Sequence, residues 1–186
     1  MSDEKFDSIY PQNLRHLSQR HFSSIKISTI AAKLLVNGSS IKILDIGSGV
    51  GKFCLIASQI VDAQFFGIEH RLNFHELASN IAFENNLKNV KFMQGDFASL
   101  DFSEYDGFYF YNSFEEYINK TCIIDNTFEK SKLAHAHFHN KLKEKLQTAK
   151  SGARLVTYYT DSEQIPDSFK LHFTCEDGLV KLWIKG

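Results

Sequence analysis

Proline and cysteine are scarce in this chain. Only Pro11 and Pro166 occur among 186 residues, which excludes a Pro-rich tail or linker. The three cysteines, Cys54, Cys122 and Cys175, are far apart and odd in number. Neither a CxxC metal site nor a disulfide framework follows from them, and a reducing compartment is expected. An excess of one charge is missing too: 21 Lys plus Arg against 22 Asp plus Glu leave a net charge of -1. No strong field draws such a chain onto a nucleic acid backbone or an anionic membrane. No apolar run approaches the roughly 18 residues of a membrane span. The opening Met1-Ser2-Asp3-Glu4-Lys5 is polar, without the apolar segment of a secretory leader after it. A cytoplasmic protein is the expectation.

What the chain has in quantity is apolar and aromatic residues, 43% and 13%, with 17 Phe. That composition builds a core and excludes a disordered chain. At this length one domain spanning residues 1–186 is expected, burying about 70% of the surface its unfolded form exposes.

Residues 1–38 read as a helical extension. Ile27, Ile30, Ala31, Leu34 and Leu35 recur at helical spacing, Ser23 or Ser24 is placed to cap them, and Asn37-Gly38 to stop them. From residue 39 onward strands and helices alternate. The strands are Ile41–Asp45, Ala63–Ile68, Val90–Gln94, Asp106–Tyr111 and Arg154–Tyr159, and a long helical stretch runs to about Lys150 before the fifth. Phe169, Leu171, Phe173 and Cys175 then alternate with polar residues, and Glu176-Asp177-Gly178 turns the chain into a last strand, Leu179–Ile184. Alternation of this kind predicts a doubly wound α/β sheet of seven strands. The sheet is mostly parallel, with an antiparallel last strand, because three residues cannot make a crossover.

In such sheets the ligand lies beyond the carboxyl ends of the strands, at the switch in strand order. Asp45-Ile46-Gly47-Ser48-Gly49-Val50-Gly51 stands there on the first strand. A Walker A loop is excluded, since Ile46 stands where its first Gly is needed and Phe53 where its Ser or Thr is needed. A dinucleotide fingerprint is off by one, with Gly51 early and Lys52 in the expected glycine position, though Glu69 follows at a plausible distance.

The run Asp45-x-Gly47-x-Gly49-x-Gly51 after an apolar strand resembles the first motif of class I S-adenosylmethionine-dependent methyltransferases. Glu69, closing Phe65-Phe66-Gly67-Ile68, is similar to that family's ribose-binding acid, and Gly95-Asp96-Phe97 to its adenine-contacting segment. The resemblance covers about residues 40–186 and implies the Rossmann-like methyltransferase fold, with S-adenosyl-L-methionine as cofactor. Its cofactor-binding set is Asp45, Gly47, Ser48, Gly49, Gly51, Glu69, His70, Asp96 and Phe97. A carboxylate accepts two hydrogen bonds from vicinal hydroxyls, which suits Glu69; it is expected to face the cleft with nothing in the core depending on it. Asp45 suits loop N–H groups or, through water, the cofactor's cationic end.

The fourth strand is where the family presents its acceptor. Asn112 there accepts a hydrogen bond from an attacking amine, and Phe114 walls the pocket beside the cationic methyl. Both are the expected catalytic residues. Ser113 and Phe114 replace the prolines of the N-P-P-Y motif of amino-methylating DNA enzymes, so a protein lysine or a small molecule is the expected acceptor ahead of nucleic acid. Asn112-x-Phe114 is similar to the histone lysine methyltransferases that lack a SET domain. Glu115 and Glu116 suit a cationic acceptor or, more simply, a helix start.

His135, His137 and His139 read as half-buried structural histidines rather than metal ligands, because they sit within an apolar stripe with Phe128, Phe138, Leu142 and Leu146. Cys54 reads as a small core residue. No metal is expected. In this fold helices before the first strand often cover the cofactor, so Tyr10, Arg15 or Arg20 is a candidate to reach its carboxylate, with none of the three singled out. Deleting residues 1–22 is expected to weaken cofactor binding more than it lowers thermal stability.

Overall fold

The computed structural model describes residues 1–111, 124 and 131–186. Seven strands form one sheet: β1 (Lys42–Ile46), β2 (Gln64–Glu69), β3 (Val90–Gln94), β4 (Gly107–Tyr111), β5 (Arg154–Tyr158), β6 (Phe169–Cys175) and β7 (Val180–Lys185), in the order β3-β2-β1-β4-β5-β7-β6. Pairing is parallel from β3 to β5, and β7 runs antiparallel to both β5 and β6. The predicted sheet is therefore present, with the starts of β1, β2, β4 and β7 one residue later than the apolar runs suggested.

The helices are α1 (Asp3–Asp7), α2 (Gln12–Arg15), α3 (Ser18–His21), α4 (Ile25–Leu35), α5 (Lys52–Ala57), α6 (Leu72–Glu84) and α7 (Lys132–Gln147). Of the two candidate caps of α4, Ser24 does the work: its hydroxyl accepts the Ile27 N–H at 3.2 Å. The helical extension consists of three short helices before α4. Pro11 has no N–H to continue α1, and Phe22 is extended.

Central strands are buried on both faces, as a doubly covered sheet demands. Ile43, Phe65, Tyr109 and Val156 face α4, α5 and α6, in one apolar cluster with Tyr10, Leu17 and Phe22 of the extension. Leu44, Ile46, Ile68, Phe108 and Phe110 face the other way, against Leu142 and Leu146 of α7.

The edge strand β6 departs from the predicted alternation. A bulge between Leu171 and Phe173 pairs Leu171 with Trp183 but Phe173 with Leu182. Since Trp183 and Leu182 face opposite sides, the bulge puts Leu171 and Phe173 on opposite faces, and both are half exposed. The hairpin turn holds: Glu176, Asp177 and Gly178 all have positive φ, at 52°, 55° and 83°.

Candidate functional site

Chain order along the sheet reverses at β1, which pairs with β2 on one side and β4 on the other. A cleft opens at the carboxyl ends of these strands. It is lined by Asp45, Gly47, Ser48, Lys52 and Phe53 of β1, the glycine loop and α5, by His21, Phe22 and Ser23 of the extension, and by Tyr109 and Tyr111 of β4.

The glycine loop is shaped by φ. Gly47, Gly49 and Gly51 sit at 76°, 54° and 80°, where side chains other than glycine are strained. The Gly47 and Ser48 N–H groups both donate to the Ile68 carbonyl at 3.0 Å, bending the loop back over β2. The glycines do different work. A Cβ on Gly51 would lie 2.4 Å from Phe92 Cζ and 2.9 Å from Ala78 Cβ, so this glycine serves packing. Gly49 and Gly95 face open space, where a ligand has room.

Asp45 lies on β1 and is 4% exposed. Its Oδ2 accepts a weak bond from the Cys54 thiol at 3.6 Å. Burial pushes its carboxyl up to about 8; the Cys54 bond opposes that rise, and the charge of Glu69 adds a smaller push upward. The ammonium in the same cleft, Lys52, is held elsewhere: Asp3 Oδ1 and Asp7 Oδ1 lie 2.7 Å from it and Ser18 Oγ lies 3.1 Å away. In the same cleft the Ser48 hydroxyl is buried and has no hydrogen-bond partner among the described residues.

Glu69 is not the free strand-end acid the sequence suggested. It is 4% exposed, with Oε2 accepting the Gly49 N–H at 2.9 Å and Oε1 the Arg71 N–H at 2.8 Å. Arg71 Nη1 stands 3.7 Å and His70 Nδ1 3.3 Å from Oε1. The carboxylate braces the loop, and Oε2 has a second lone pair for a ribose hydroxyl, while Oε1 is surrounded by the donors of His70 and Arg71. The Gly95 N–H donates to the Glu69 carbonyl at 3.0 Å, which sets Asp96 beside it. Asp96 is exposed and caps a short 3-10 turn, its Oδ1 taking the Ala98 N–H at 2.8 Å. The Phe97 ring is buried with Ile46 and Ile68 on the α7 face.

The structure thus brings Asp45, Gly47 and Ser48 into one cleft, ties Gly49 to Glu69 and His70, and keeps Asp96 at the next strand end. Asn112, Phe114, Glu115, Glu116, Cys122 and Phe128 lie outside the described residues. Tyr10 does not face the cleft; it is 1% exposed, edge-on to Phe6 and Phe22. Arg15 spends its guanidinium on the carbonyls of Tyr10 and Ser8, both at 2.8 Å. Composition did not flag Tyr109 and Tyr111. The available signal was two hydroxyl-bearing rings two apart, hence on one face, in an otherwise apolar strand. Tyr109 stacks on Phe53 at 4.0 Å and shares a 2.6 Å hydrogen bond with Ser23. The Tyr111 hydroxyl donates to the Arg20 carbonyl at 2.7 Å.

His139 packs edge-on to Phe110 at 6.2 Å, with His135 Nε2 3.1 Å from its own Nε2. Burial, then the neighbouring His135, lower its pKa to about 4, so it is neutral at physiological pH. Among the described residues no three His, Cys, Asp or Glu side chains gather as a metal site, and no helix is long and apolar enough to cross a membrane.

The chain belongs to the methyltransferase-domain family, whose model matches residues 37–181. No curated protein matches it in sequence. Solved structures share its fold. An RNA methyltransferase from Salinibacter ruber, in complex with S-adenosyl-L-homocysteine, is 19% identical with a TM-score of 0.56, covering 95% of this chain and 92% of that one. TrmN from Thermus thermophilus is 18% identical with a TM-score of 0.66, covering 91% and 51%. The cyclase SpnF is 19% identical with a TM-score of 0.56, covering 75% and 47%. The chain spans about half the length of the last two. Fold and family agree on a Rossmann-like methyltransferase domain.

Proposed function

We propose that this chain is an S-adenosylmethionine-dependent methyltransferase, one domain over residues 1–186, acting on an amine such as a protein lysine or a small molecule. The observation that carries the cofactor is Asp45: a buried carboxyl on the cleft wall, held in its neutral form by burial, while the Lys52 ammonium of the same cleft is committed to two other acids. A cationic ligand end beside it favours the ionised form and gains a charge partner there. S-adenosylmethionine brings an ammonium and a sulfonium, whereas the adenosine end of NAD brings none. In this reading Asp45 and Ser48 hold the amino-acid end, Gly47 and Gly49 leave room for the backbone of the loop to approach, Glu69 and His70 hold the ribose, and Asp96 and Phe97 border the adenine. The bound cofactor supplies an electrophilic methyl group. The chain supplies position and exclusion of water, through the Phe53–Tyr109 stack and the Phe22 ring. Asn112 and Phe114, which follow Tyr111 directly in sequence, stay in this proposal as the acceptor-facing residues.

The RNA methyltransferase relative with its bound product supports the cofactor, while the cyclase relative shows that this fold alone does not decide the reaction. Calorimetry with S-adenosylhomocysteine and NAD, followed by a screen with labelled S-adenosylmethionine over protein, small-molecule and RNA pools, tests the proposal. We expect the first ligand to bind, NAD not to bind, and label to enter the protein or small-molecule pool. NAD binding without a response to S-adenosylhomocysteine overturns it; cofactor binding with no labelled pool leaves a silent binding module.

A further inference from the structure

Lys52 is the residue that broke the dinucleotide spacing, and the structure gives it a task. It opens α5 immediately after the glycine loop, with a side chain only 2% exposed. An ammonium is misplaced there on two counts, since burial disfavours charge and a helix start repels cations. Three side chains from two elements of the extension converge to satisfy it. Asp3 of α1 accepts its N–H at 2.7 Å and, on the same Oδ1, the Ile25 N–H that opens α4 at 2.9 Å. Asp7 of α1 stands at 2.7 Å as an ion pair. Ser18 of α3 accepts at 3.1 Å and itself donates to Asp7 Oδ2. The Phe6 ring lies under the ammonium at 5.7 Å.

The same segment is fastened on the other side of the cleft. Ser23 holds Tyr109 and the Arg20 carbonyl holds Tyr111, both on β4. Residues 3–23 therefore form a strap across the cleft, anchored to the cofactor loop by Lys52 and to the acceptor strand by two tyrosines. His21, Phe22 and Ser23, between the anchors, are cleft wall.

We propose that Lys52 is a positioning residue that holds this strap closed and so sets cofactor affinity without touching the cofactor, an inference that rests on the proposed function. Removing the ammonium leaves the Asp3 and Asp7 carboxylates, each 2.7 Å from the same Nζ, close together without their shared counter-charge. Their repulsion lifts α1 and α3 and unmakes the wall at residues 21–23. A guanidinium at the same place can bridge both carboxylates.

The test uses the full chain as Lys52→Met and Lys52→Arg, with two measurements on each: calorimetry against S-adenosylhomocysteine, and amide hydrogen exchange of the ligand-free protein. Lys52→Met is expected to raise the dissociation constant at least tenfold and to speed exchange at residues 18–23 by a similar factor, while α6 amides keep their protection. Lys52→Arg is expected to stay within about threefold of wild type in both. If Lys52→Met does not fold, Asp3→Asn replaces it, with a several-fold loss of affinity expected. A folded variant that binds as wild type does overturns the inference, as does uniformly faster exchange over the whole molecule, which marks a plain core defect. Wild-type protein that ignores S-adenosylhomocysteine overturns the proposed function instead, and the exchange measurement still decides whether Lys52 holds the strap.

Discussion

At Asp45 the interests of folding and binding oppose each other. The unfolded carboxyl titrates near 3.8 and the folded one at about 8, because the fold buries the charge. The sign follows from linkage. Below pH 3.8 both states hold the proton and nothing is lost. Between 3.8 and about 8 the unfolded chain gives it up while the native state keeps it, so stability falls as pH rises through that window. Asp45→Asn removes the titration, so its melting temperature should exceed that of wild type by a margin that widens from pH 5 to about 8 and then levels off. The same variant should bind S-adenosylhomocysteine more weakly, having no charge to offer an ammonium. Parallel melting curves for the two proteins over pH 5–9 would show that Asp45 is not the buried acid described here. Residue identity made Asp45 and Glu69 legible as candidates, but their surroundings were not. That Glu69 braces Gly49, and that Asp45 meets the Cys54 thiol, depends on which groups the fold brings within reach.

Among elements, the glycine loop separates two roles that spacing alone renders identical. Gly51 is required by packing against Phe92 and Ala78, Gly49 by φ alone. Gly51→Ala should cost about 1–2 kcal/mol for the left-handed backbone and another 1–3 kcal/mol for overpacking. Gly49→Ala should cost only the first amount, yet place a methyl group where the ligand needs room. Urea unfolding together with S-adenosylhomocysteine titration should therefore show Gly51→Ala chiefly as a loss of stability and Gly49→Ala chiefly as a loss of affinity. Equal effects on both readouts would remove the distinction. Strand positions were legible because buried parallel strands read as apolar runs between glycines and acids. The β6 bulge was not, since Phe169, Leu171, Phe173 and Cys175 alternate perfectly in sequence; an edge strand with no outer neighbour tolerates the extra residue that breaks the pattern. The extension was legible as helical but not as a strap, because the partners of Lys52 lie 34 to 49 residues away from it.

For the whole molecule, the extension is part of the core. The loss of residues 1–22 was expected to harm binding more than stability, and the burial of its side chains argues for a large cost in stability as well. Tyr10, Leu17 and Phe22 belong to the same apolar cluster as Ile43, Phe65 and Tyr109. Burying each is worth about 1.5–3 kcal/mol, so a chain lacking residues 1–22 forgoes about 5–9 kcal/mol as an upper estimate. Freed Lys52 regains water, so its lost ion pairs add little to that sum. The loss is comparable to the whole stability of a typical domain, about 5–15 kcal/mol. At roughly 2–4 °C per kcal/mol for a chain of this length, the melting temperature should fall by up to about 10–35 °C, well beyond a few degrees. Thermal unfolding followed by near-ultraviolet circular dichroism measures this directly. A truncated chain melting within a few degrees of wild type would mean that the cluster closes without Tyr10, Leu17 and Phe22, and that the extension serves the cleft alone.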